Sequence, residues 1–96
     1  MALEDEDVPV LNEVEYASRV SAQGKSDLLV QRAIRGVLHC DFTPEEFGGA
    51  FLDLVSWVET GVKPAGDDFL DPDEVADENF GCNFTAGDHL FGTPCL

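Results

Sequence analysis

His39 and Asp5 are the residues whose types and settings could do chemistry. His39 stands between an apolar run, Leu28 to Ile34, and a segment beginning Thr43-Pro44-Glu45-Glu46. A loop there can lift an imidazole clear of its neighbours, and a group titrating near about pH 6.5 can take up and return a proton. The plain alternative is an ordinary loop histidine. Asp5 lies in the loop Asp5-Glu6-Asp7-Val8-Pro9-Val10, where a carboxylate accepting an imidazole N–H would fix the tautomer and stabilise the imidazolium. Glu4, Glu6 and Asp7 crowd the same loop and compete for that role, and a solvated acidic cluster is the plain alternative.

The flanking elements must position these groups. Pro9 makes a helix through the acidic start unfavourable. Asn12 can cap a helix from about Glu13 to Gln23, with Val14, Tyr16, Ala17 and Val20 as its apolar face and Gly24 as its stop. Asp27 to Arg35 has the length and apolar content of a strand buried on both faces, which needs neighbouring strands. Thr43 and Glu46 form a T-x-x-E capping box with Pro44 at the first helical position. Phe47, Ala50, Phe51, Leu54, Val55 and Val58 then recur at helical spacing up to Gly61. Gly48 and Gly49 weaken this helix by roughly 1 kcal/mol each relative to alanine, so it must draw stability from packing on something. Trp57, Phe47 and Phe51 read as core packing. From Ala65 onward acids crowd together with no lysine or arginine, which predicts a loosely ordered acidic tail over 66–96 behind a folded segment over 1–65. Phe69, Phe80, Phe84 and Phe91 could pin that tail to a larger body.

The charge balance narrows the partners. With 20 acidic and 5 basic residues in 96, the net charge of −15 repels nucleic acids and anionic membranes. The chain shows no signal peptide and no run approaching the roughly 20 apolar residues of a membrane span, so a soluble protein is expected. Cys40, Cys82 and Cys95 match no zinc pattern, although Cys82 and Cys95 could pair in an oxidising compartment. The acids around Asp67 to Glu74 miss the order of an EF-hand loop, and solvated charge is the better account of them. His89 has no metal-ligand spacing and receives no role.

An acid loop, a helix, a strand, a histidine loop and a capped helix follow one another in this chain, and that order resembles the C-terminal portion of an α/β-hydrolase. Asp5 to Val10 is similar to the D-x-x-V-P turn of that family. The resemblance implies a mixed α/β fold, carboxylic ester hydrolysis without a cofactor, Asp5 as triad acid and His39 as base. Leu38 and Glu4 stand where the family commonly has glycine, and Ser18, Ser21, Ser26 and Ser56 all lack the flanks of a nucleophile elbow. Without a nucleophile and oxyanion hole, the expectation is an esterase fragment that is inactive alone and meets an ester substrate only when completed by an N-terminal portion. The alternative expectation is a small acidic binding module that engages a basic protein or forms a homo-oligomer.

Overall fold

The computed structural model describes residues 1–3, 9–37, 41–87, 89 and 95. Among them, helix α1 spans Val10–Ala22, α2 spans Pro44–Thr60 and α3 spans Pro72–Val75, with one 3₁₀ turn at Ser26–Leu28. Pro9, extended at φ −70° and ψ 152°, occupies the N-cap position of α1, so the helix begins two residues before the expected Asn12 cap. Asn12 falls inside the first turn, its N–H donating to the Pro9 carbonyl at 3.0 Å. Gly24, at φ +68°, ends α1 as expected.

The capping box of α2 forms in both directions. Thr43 Oγ1 accepts the Glu46 N–H at 3.2 Å, and Glu46 Oε1 accepts the Thr43 N–H at 2.8 Å. At the other end Gly61 adopts the left-handed conformation at φ +74°, and its N–H donates to the Trp57 carbonyl. No helix among the described residues is long and apolar enough to cross a membrane.

The mixed α/β, α/β-hydrolase-like architecture is not what the chain forms. Among the described residues helix accounts for 46% and strand for 2%, with no sheet. The expected strand over Asp27 to Arg35 opens as the 3₁₀ turn and then runs through the middle of the molecule, where Ala33 and Ile34 are buried. Among the described residues its single strand-like pairing is an isolated parallel bridge between Ala2 and Ile34. The physical reason lies in the supply of partners, since the chain offers no second β-rich run to pair with.

Side chains and irregular backbone fill that need. The Ala33 N–H donates to Asp67 Oδ2 at 2.8 Å, the Arg35 N–H to Thr85 Oγ1 at 3.0 Å, and the Val37 N–H to Asp41 Oδ2 at 3.2 Å. The Ile34 N–H donates to the Met1 carbonyl, the Leu3 N–H to the Ile34 carbonyl and the Asp67 N–H to the Gln31 carbonyl. Gln31 Nε2 reaches both the backbone carbonyl and the carboxylate of Glu13 on α1. Gly36 permits the close approach at the end of this segment, because a Cβ there would lie 2.6 Å from the Asp41 carbonyl oxygen.

The apolar core is correspondingly thin. Ala17, Ala33, Phe69 and Phe80 form its buried cluster, with Val10, Val14, Leu29 and Val75 packed around them. Phe69 and Phe80 meet edge to face with centroids 5.3 Å apart, so two aromatics from the acidic C-terminal third stand at the centre of the molecule. A disulfide joins Cys82 to Cys95.

Asp67, only 8% exposed, also accepts from Asn83 Nδ2 at 3.0 Å and so ties the central segment to the C-terminal region. Removing its carboxylate leaves the Ala33 N–H buried without an acceptor. Asp67→Ala is therefore expected to lower stability by about 1–3 kcal/mol, whereas Glu59→Ala, an equal change in charge on exposed α2 surface, should stay within about 0.5 kcal/mol. Urea unfolding of the two variants beside the unmodified protein measures the contrast.

Candidate functional site

Asp5 and His39, the expected acid and base, both lie outside the described residues, as does Cys40. The structure instead assembles a histidine–carboxylate cluster at the start of α2 from residues far apart in the chain. The capping box fixes Glu46, whose side chain is 1% exposed, and the two ring nitrogens of His89 face two different acids. His89 Nε2 lies 2.8 Å from Glu46 Oε2, and Nδ1 lies 3.4 Å from Asp41 Oδ2. Glu46 Oε2 also accepts the Ala86 N–H at 2.9 Å, and Thr43 Oγ1 donates to the Ala86 carbonyl at 2.7 Å. Ala86 and His89 are thereby fastened across the first turn of α2.

This geometry favours charge on both partners. The hydrogen bond to Glu46 holds His89 above its ordinary value of 6.5, with burial opposing and Asp41 assisting. Burial pushes the Glu46 carboxyl up, but the Thr43 N–H, His89 and the Ala86 N–H outweigh it and leave the group below 4.5. A general base needs a free imidazole lone pair, and here each ring nitrogen faces a carboxylate. The cluster is an ion-pair latch that sets where α2 sits. His89 had no recognisable role in the sequence because its partners are 43 and 48 residues away.

Beyond its first turn α2 is nearly bare. Glu46 is its one buried residue, while Phe47, Phe51, Leu54 and Val58 all stand exposed. The reading of Phe47 and Phe51 as core is thus corrected: the periodicity marked an apolar side of the helix, and among the described residues no other element covers it. Trp57 is half-buried and lines a groove of about 510 Å³ between α2 and the central segment. Ala50, Leu54, Ile34, Pro64 and Phe84 line it too. Across the groove Arg32 Nη1 pairs with Asp53 Oδ2 at 2.7 Å, and its guanidinium lies 4.1 Å from the Phe84 ring centroid. The Nε and Nη2 atoms of Arg32 both donate to the Ala65 carbonyl. The 4-3-4 apolar spacing of Phe47, Phe51, Leu54 and Val58 is the signal of a docking seam in the sequence.

Asp68, Asp71 and Glu74 bring one carboxylate oxygen each within 4.8 Å of one another. Asp71 caps α3 by accepting the N–H groups of Asp73 and Glu74, and Glu74 accepts the Asp68 N–H. Turn formation accounts for the grouping.

No protein-family model, no curated protein and no solved structure matches the chain. The helical fold overturns the α/β-hydrolase and esterase-like description, and no match restores it.

The signs of the two shifts define a pH window. The His89 contribution is complete below about pH 6.5 and is lost as pH rises through its raised folded value. The Glu46 contribution is complete above about pH 4.5 and is lost as pH falls through its lowered folded value. The difference in urea midpoint between the unmodified protein and His89→Gln should therefore be largest between about pH 4.5 and 6.5 and shrink toward alkaline pH. A difference that stays constant from acid to alkaline pH would sink the latch.

Proposed function

We propose that this chain is a small acidic protein-binding module whose docking surface is the exposed side of α2. One observation carries the reading: in a 17-residue helix with a single buried residue, Phe47, Phe51, Leu54 and Val58 are 72%, 58%, 52% and 79% exposed. Spaced four, three and four residues apart, they form one narrow seam of the kind that packs against another helix. Contiguous apolar surface of this sort marks interaction sites.

Charge selects the partner. Glu45, Glu46, Asp53 and Glu59 lie on α2, which has no lysine or arginine. Two copies of a chain carrying −15 would repel each other, so a second copy is a poorer occupant than a basic one. The partner that fits is an amphipathic helix with an apolar stripe flanked by lysine or arginine, bound helix against helix.

Titration with a synthetic amphipathic helix of alanine, leucine and lysine tests this. Phe51→Ser and Val58→Ser together should weaken binding by about tenfold or more, since each removes apolar contact worth roughly 1–2 kcal/mol without altering charge. Leu11→Ser, at an exposed leucine on α1, should leave it unchanged. Added salt should weaken the complex. Equal loss in the α1 and α2 variants, or no binding at low salt, would overturn the proposal.

A further inference from the structure

The groove beside Trp57 deepens that reading and rests on it. We infer that it is an anchor site, taking one large apolar side chain of the partner helix while Asp53 takes a lysine or arginine one helical turn away. The groove is mostly apolar, and its volume falls in the range of pockets that enclose drug-sized ligands, ample for a phenylalanine or leucine side chain. It is continuous with the exposed seam, because Phe47 and Leu54 line both. A helix lying along the seam thus has the groove at its edge.

Its polar groups fix the ligand chemistry. Arg32, the one cationic side chain among the described residues lining the groove, has its guanidinium engaged by Asp53, the Ala65 carbonyl and the face of Phe84, and the Met1 ammonium, also at the groove, donates to the Arg32 carbonyl. Arg32 is therefore not offered to an incoming acid. The Asp53 side chain remains 49% exposed after pairing with Arg32, and Glu45 lines the groove about two helical turns away. Those two carboxylates favour a cation. Asp53 and Trp57 are four residues apart on α2, about 6 Å along its axis. On a partner helix running beside α2 the same distance separates residues three or four apart, so the motif sought is a large apolar residue with lysine or arginine at that spacing.

Trp57 is the only tryptophan, so its emission reports occupancy of the groove directly. The experiment titrates the full chain with a peptide of alanine, leucine and lysine carrying one phenylalanine, a lysine four residues from it, and no tryptophan or tyrosine. Calorimetry follows binding and fluorescence follows Trp57. The expected result is a blue shift of Trp57 that saturates with the calorimetric isotherm. Ala50→Phe, which fills the groove from an exposed helix position, should weaken binding about tenfold and abolish the shift. Asp53→Asn should weaken the lysine peptide more than its glutamine counterpart. Binding with an unchanged Trp57 spectrum and no sensitivity to Ala50→Phe would overturn the anchor site while leaving docking on the seam intact. Absence of calorimetric binding would overturn the docking reading and the anchor site together.

Discussion

The structure depends on how the backbone of residues 31–37 is satisfied. This segment crosses the middle of the molecule with Ala33 fully buried, and a buried N–H must find an acceptor. Strands would ordinarily supply them. Here Asp67, Thr85 and Asp41 do so with side-chain oxygens, and the first residues of the chain do so with main-chain groups. The same segment sends Gln31 to α1 and Arg32 to α2, so both long helices are referenced to it. A chain this small cannot rely on its core alone, and polar tethers take a larger share of the work of specifying one arrangement.

What the sequence made legible follows from the range of each interaction. The capping box and the Gly61 stop are decided within a few residues, and both form as read. The start of α1 was displaced because Pro9, with its pre-set φ, took the position assigned to Asn12. The central run shows a harder limit. Within the apolar run from Leu28 to Ile34 only Ala33 and Ile34 are buried, while Leu28 is 68% exposed, and apolar content does not reveal whether the groups alongside are strands or carboxylates. Likewise the period of α2 identified one apolar face, and only the fold reveals that Phe47, Phe51, Leu54 and Val58 on it stay exposed. His89 had no local signal at all, since its meaning comes from Asp41 and Glu46 across the molecule.

The acidic composition divides into two populations with different consequences. Asp41, Glu46, Asp67 and Asp71 are spent inside the structure as acceptors for backbone N–H groups. Several of the few cations are spent as well: Arg19 pairs with Glu15, Arg32 with Asp53, Arg35 donates to the Glu78 carbonyl and Lys63 to the Ser26 carbonyl. Little positive charge is left to answer the remaining surface carboxylates. Part of that surplus, Glu45 and Glu59, lies on the helix that presents the exposed apolar seam, so charge and shape there point to the same kind of partner.

The Cys82–Cys95 bond makes a covalent ring of the chain between two cysteines 13 residues apart, and His89 is carried on that ring. A group on a short closed loop meets its partner at a high effective concentration, whereas the same group on an open end is diluted by every conformation the end can adopt. The ring therefore strengthens the His89–Glu46 contact without touching it. Cys95 is exposed, so the thiol chemistry of the surroundings reaches the bond directly. Oxidation of this cysteine pair is in this way coupled to the anchoring of α2.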